Sequence, residues 1–347
     1  MQSQFSCSVV PHRIRNAMAG ALFLAIWQCC FGQAPRDVEH LRERAEAGYV
    51  NEQMKLAHAF QFGIGVPQSA AEAARWMLKA ASQGNPAAQT NMGYAYFNGA
   101  GVAMDPQEAF RWFQRAALAS YAPAENDLAL LLVKGQGTER DVAAGVRWMR
   151  KAADQNLAAA ELHLGIFYLL GLGLGRDAKE SLRWIHKAVK QHDPQAEFVL
   201  AELYENGNGE PKDLSQALHW YRIAADRGLA PAQNELGRLY ENGEGVSPDK
   251  SAALRWYLLA ADAGNPQALI NLARRYAMDG VADRAYFWGS VALHSSPNVM
   301  ALSDVLANVR NRLTQADRSR VDAEVGDWMK AHPMLAEQGI ELAFNDR

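Results

Sequence analysis

The stretch GLGLGRDAKESLRW, residues 171–184, carries the residue types of a phosphate site. Gly171, Gly173 and Gly175 lead into a helix-like run, with Arg176 and Asp177 at its start. Backbone N–H groups and the helix dipole converge at such an N-terminus and hold phosphate oxygens. Two other chemistries have candidate residues. His40, His58, His163, His186, His192, His219, His294 and His332 could ligate a metal. No pair of them has the i,i+4 spacing with a glutamate that a helical zinc site uses. Paired carboxylates could hydrolyse a glycosidic bond, but the acids fall at periodic positions. No serine sits in a Gly-x-Ser-x-Gly elbow.

The same periodicity decides what the glycines do. Trp76, Trp112, Trp148, Trp184, Trp220 and Trp256 stand 36 residues apart, and Trp288 follows after 32. Gly63/Gly65, Gly99/Gly101, Gly135/Gly137, Gly171/Gly173, Gly207/Gly209 and Gly243/Gly245 keep that period. A phosphate site is needed once, whereas a turn is needed in every repeat. The glycine stretch is therefore the fourth copy of a structural loop, where a tight helix–helix turn demands positive φ and close backbone approach.

Two helices flank each loop. Helix A carries Met92, Leu128, Leu164, Leu200, Leu236 and Leu272, followed by an always-small Gly93, Ala129, Gly165, Ala201, Gly237 or Ala273. Three further on come Tyr96, Leu132, Tyr168, Tyr204, Tyr240 and Tyr276, which completes a buried stripe. The small position implies close helix–helix approach. Helix B starts at N-caps Ser69, Asp105, Asp141, Asp177, Asp213 and Asp249. Glu72, Glu108, Glu180 and Gln216 lie three residues on, as in a capping box. Arg75, Arg111 and Arg183 stand where they pair with those glutamates. The tryptophan ladder reads as core between stacked helices, with a ligand-stacking surface as the alternative.

Residues 1–34 read as a signal peptide. His12, Arg13 and Arg15 precede an apolar run from Ala17 to Trp27, and small residues follow at Gly32 and Ala34. The run is shorter than the roughly 20 residues a membrane span takes. A lipoprotein anchored on Cys29 or Cys30 fits less well, because Trp27 and Gln28 stand where small residues are expected. Cys7, Cys29 and Cys30 are the only cysteines, so the mature chain has none. Losing the leader removes two arginines and no acid, which leaves the mature chain more negative than the full chain's −3. Such a surface gives no footprint for nucleic acid.

The pattern resembles the Sel-one-like repeat family, a branch of the tetratricopeptide-like α-solenoids. Ala232, Leu236, Gly237, Tyr240, Gly243, Gly245, Val246, Asp249, Ala253, Trp256, Ala260, Ala261 and Gly264 carry the resemblance, which spans about residues 40–296. It implies an all-α fold, an α/α solenoid coiled as a right-handed superhelix of about seven 36-residue helix-turn-helix repeats. The expected layout is a capping helix in 35–50, repeats in 51–296 with the seventh shortened, and a helical cap in 297–347. The resemblance also implies a scaffold that binds other proteins, as exported bacterial relatives do in signalling, export, envelope assembly and host contact. A disulfide-rich branch associated with β-lactam binding fits poorly, since the mature chain lacks cysteine.

The expectation is thus a periplasmic or secreted interaction scaffold, not an enzyme, with no cofactor and no metal. Its partner is another protein, not nucleic acid, and the mature chain does not insert stably in a membrane. The alternative is an envelope enzyme or carbohydrate-binding protein that uses the groove. By analogy with related solenoids, helix A lines that groove. One outward row is Tyr94, Leu130, Ile166, Glu202 and Arg238; its neighbour is Asn91, Asp127, His163, Val199 and Glu235. The expected binding residues are Tyr94, Asp127, Leu130, His163, Ile166, Val199, Glu202 and Glu235, with Leu130, Ile166 and Val199 as apolar anchors across repeats three to five. Ordinary contact between helices is the competing reading for those three.

Overall fold

The computed structural model describes residues 34–295 and 302–332, so residues 1–33 of the segment expected to be a signal peptide, and residues 296–301 and 333–347, lie outside the described residues. Within them the chain is built of helices, with no strand. α1 (Ala34–Glu46) precedes seven helix pairs. The A helices are α2 (Val50–Phe62), α4 (Pro86–Asn98), α6 (Ala122–Lys134), α8 (Ala158–Leu170), α10 (Pro194–Asn206), α12 (Ala230–Asn242) and α14 (Pro266–Met278). The B helices are α3 (Ala70–Ser82), α5 (Pro106–Leu118), α7 (Val142–Asp154), α9 (Ala178–Lys190), α11 (Leu214–Asp226), α13 (Lys250–Asp262) and α15 (Ala282–Ser295). α16 (Ser303–Arg310) and α17 (Gln315–Ala331) follow. The chain divides between Asp193 and Pro194 into two compact units. The division falls between the fourth and fifth repeats.

Within each unit, an A helix packs on its own B helix and on the B helix before it. The small position of helix A explains the first contact. A Cβ on Gly93 would lie 2.8 Å from the Phe113 ring, and one on Gly237 would lie 2.5 Å from Tyr257. Large B-helix side chains therefore fill the space that glycine leaves. The fully buried Leu128, Leu164, Leu200 and Leu236 form the expected stripe. The cap closes the second unit: Leu302, Val321 and Val325 join Phe287 and Trp288 in its terminal core. Thr314 accepts the Asp317 N–H and so caps the start of α17.

The two glycines of each loop have different tasks. Gly135 ends α6 in the left-handed region at φ 71°, and its N–H bonds to the Leu131 carbonyl. Gly137 shares that φ of 71°, but it also lies against the start of the preceding B helix, where a Cβ would stand 1.9 Å from the Pro106 oxygen. The loop is thus the seam between consecutive repeats. Its helix N-terminus is already occupied: Asp177 accepts the N–H groups of Lys179 and Glu180, so neither is offered to a phosphate.

All six expected N-caps of the repeated B helices are made. The capping box is not completed. The cap's own N–H bonds instead to a helix A carbonyl, as Asp105 N–H does to Tyr96 and Asp177 N–H to Tyr168. Glu72, Glu108 and Glu180 then pair with Arg75, Arg111 and Arg183. In the turn after helix B, Gly84, Gly228 and Gly264 take positive φ, and Ser120, Asn156 and His192 take it in the other copies. His192 is therefore a turn residue.

A buried polar clip recurs along the repeats. Gln53, Gln89, Glu125, Glu161, Glu197 and Gln233 occupy one helix A position and are all buried. Thirty residues on, at the end of helix B, stands the partner. Gln83 donates to Gln53 at 2.8 Å, Gln155 to Glu125 at 2.6 Å, Gln191 to Glu161 at 2.6 Å, and Arg227 to Glu197 at 3.1 Å. Copies two and six have Ala119 and Ala263 at that place, and there the Oε1 atoms of Gln89 and Gln233 find no partner. An orphaned buried acceptor costs about 1–3 kcal/mol. Ala119→Gln should restore the bond and stabilise the first unit by about 1 kcal/mol. A denaturant midpoint that does not rise would show that the Gln89 oxygen is satisfied in another way.

Candidate protein-binding face

In the first unit the outward rows of the A helices meet as a hydrogen-bonded chain. The Tyr94 hydroxyl of α4 donates to the Asp127 carboxylate of α6. The Asn126 amide donates to the same carboxylate at 3.0 Å, and its oxygen bonds His163 Nδ1 of α8 at 2.8 Å. Three consecutive A helices are thereby tied by side chains. Burial raises Asp127 to about 6, against the opposing effect of its Tyr94 and Asn126 bonds. Burial also lowers His163 to about 4, so it is neutral at physiological pH. The nearby Glu125 carboxylate is engaged elsewhere, in its clip with Gln155.

The expected anchors behave differently. Leu130 is buried, with 8% of its surface exposed, which corrects its assignment as an outward anchor. α6 packs between α5 and α7, and Leu128 through Val133 are all buried. Ile166 is half-buried on α8, while Leu170, one turn beyond, is 52% exposed. Tyr94 is 43% exposed. The apolar surface of this face is thus Tyr94, Ile166 and Leu170. Val199 is half-buried in the second unit.

In the second unit the equivalent rows are charged. Arg238 bonds Glu235 and Glu244 at 2.6 Å each and also bonds Glu205. The Tyr221 hydroxyl donates to Glu205 at 2.7 Å. Glu202 is exposed as a residue, yet its carboxyl rises to about 7, first through desolvation and then through the charges of Glu235 and Glu205. The pattern repeats one copy on, where Tyr257 donates to Glu241 at 2.8 Å and Arg275 bonds Glu241 and Asp279. Glu205, Glu241, Tyr221 and Arg275 fall outside the expected set. Their signal in the sequence is a change of type at one position of the period, from Phe97, Val133 and Leu169 to Glu205 and Glu241.

In the first unit the tryptophan ladder is packed, with Trp148 half-buried. Trp76, Trp112 and Trp184 are buried. Lys79, Arg115, Lys151 and Lys187 lie over the rings of Trp76, Trp112, Trp148 and Trp184 at 3.7–4.5 Å. Among the described residues no group of three or more His, Cys, Asp or Glu is arranged to hold a metal, and no helix is long and apolar enough to cross a membrane.

A family model for the Sel1 repeat matches six consecutive segments, residues 53–85, 86–121, 122–157, 158–193, 194–229 and 230–265. The chain belongs to the Sel1 repeat family. Among solved structures, a Sel1 repeat protein from Oxalobacter formigenes is 32% identical with a TM-score of 0.56, over 65% of this chain and 87% of that one. The antigen c5321 of uropathogenic Escherichia coli, which displays an SLR fold, is 22% identical with a TM-score of 0.52, over 88% of this chain and 83% of its own. Yeast Tom70 shares 13% identity and a TM-score of 0.52, over 87% of this chain and 61% of its own. These last two are likenesses of fold alone. No curated protein matches the chain. The Sel1 repeats make the chain a solenoid of the protein-interaction scaffold class. Their boundaries place six of the seven A–B pairs each in one unit of the period.

Proposed function

We propose that this Sel1-repeat chain is an exported adaptor whose A-helix face in the first unit takes a segment of a partner protein. The observation that carries the reading is the apolar surface of Tyr94, Ile166 and Leu170 on that face, with Leu170 and Tyr94 exposed. Apolar side chains exposed on the outward face of a solenoid are available to a partner's anchors. Export rests on the basic lead and short apolar run of residues 1–34.

Two measurements test the reading. Residues 1–40 fused to a reporter that is active only outside the cytoplasm should give activity, and silence of the reporter ends the export claim. The double variant Ile166→Lys/Leu170→Lys should keep its helical signal and melting temperature while losing crosslinked partner in intact cells. A folded double variant that captures the partner as the wild type does would remove this face from the function. Leu130→Glu should instead unfold the first unit, because Leu130 is core.

A further inference from the structure

Asp127 is a half-buried carboxylate held by neutral donors. Its partners are the Tyr94 hydroxyl and the Asn126 amide. No lysine or arginine among the described residues pairs with it, and no cation contributes to its shift. Apart from Glu202, which is crowded by the charges of Glu235 and Glu205, other crowded carboxylates of the chain have a cation beside them. Glu197 has Arg227, Glu205 and Glu235 have Arg238, and Glu241 has Arg275. Glu125 and Glu161 have the nearby charges of Lys151 and Lys187. A partly desolvated carboxylate is costly unless a cation or several donors compensate it. Here the donors are in place and the cation is missing.

The surroundings say what would bring one. Tyr94 lies on one side, with its exposed ring edge-on to Phe113 at 5.1 Å between centroids. On the other side His163 bonds Asn126 and is neutral. Ile166 and Leu170 continue the same helix, so Leu170 lies about 10 Å along the axis from His163. The face therefore offers apolar contacts around a single anionic point.

We propose that Asp127 receives a lysine or arginine side chain carried by an otherwise apolar segment of a partner protein. The inference rests on the docking face proposed for the first unit and specifies the partner's chemistry. Among the described residues no cation acts on this carboxylate, and the Asn126 and Tyr94 bonds fix it so that its remaining lone pairs are preorganised. A charge-assisted bond at this place is worth more than one at an open surface, since water is partly excluded.

Two pooled peptide libraries test this. Both randomise apolar positions around a fixed centre, which is lysine in one and norleucine in the other. Immobilised full-length protein should retain the lysine library about tenfold better, the equivalent of about 1.4 kcal/mol. Asp127→Asn keeps an acceptor for Tyr94 and should abolish the preference with no fall in melting temperature. Glu180→Gln, which removes a carboxylate paired with Arg183 on a B helix away from this face, should keep the preference. Equal retention of both libraries by the wild type overturns cation recognition while leaving the docking face standing. A preference that survives in Asp127→Asn overturns the assignment to this residue. Retention of neither library overturns the docking face and the proposal together.

Discussion

Gly137→Ala should destabilise the first unit by on the order of 4 kcal/mol, the range reached when a backbone position admits no side chain. The added carbon would stand 1.9 Å from the Pro106 carbonyl oxygen and 2.5 Å from its carbon. These are backbone atoms at the first residue of α5, so no rotamer change relieves the clash. The residue's φ of 71° adds strain for any L side chain. Gly175→Ala is the control, because an added Cβ there would meet nothing within 4 Å and its φ lies outside the left-handed region. It should change stability by less than about 0.5 kcal/mol. Thermal and denaturant unfolding followed by circular dichroism would compare the pair. Equal melting of the two variants would mean that the seam between repeats can open without cost, contrary to the tight packing of the loop on α5.

Arg238→Met should be the most damaging surface-proximal change in the second unit. It leaves Glu205, Glu235 and Glu244 without their shared cation, while Glu202 stands nearby. Removing one partner of a buried ion pair costs about 3–5 kcal/mol, and the 29% exposure of the Arg238 side chain reduces this to about 2 kcal/mol. The pH dependence has a defined sign. Against desolvation, Arg238 helps to hold the Glu244 carboxyl below its ordinary 4.5. A carboxyl with a depressed folded pKa contributes stability that is present above its ordinary value and is lost as pH falls through the folded one. The variant lacks that contribution, so its deficit should shrink as pH falls below about 4.5. A deficit that stays constant or grows on acidification would show that Arg238 acts through packing of its stem and not through its charge.

The clip and the charged network show why these effects arise only in three dimensions. Each clip joins residues thirty apart, and its members change identity between copies: Gln with Gln, Glu with Gln, Glu with Arg. Only the geometry reveals that the Ala119 and Ala263 copies leave an acceptor empty. The same holds for the uncompleted capping box. Its residues are at the right spacing, but the Tyr96 and Tyr168 carbonyls take the cap N–H groups.

The sequence by itself determined the repeat, the A and B helices, the N-caps, the glycine turns and the small position of helix A. Each of these is a local demand of backbone geometry or close packing, restated at the same place every 36 residues. A demand made six times is legible even without a second sequence. The tertiary structure alone decided which outward residues are free. Leu130 and Ile166 hold the same place in the period, yet Leu130 is sealed among the neighbours of α6 and Ile166 is only half-buried. It also decided that Asp127 lies among neutral donors while Glu205 and Glu235 share Arg238. Solvent exposure and charge pairing depend on how adjacent repeats approach one another, and residues that share a position in the period do not share those neighbours.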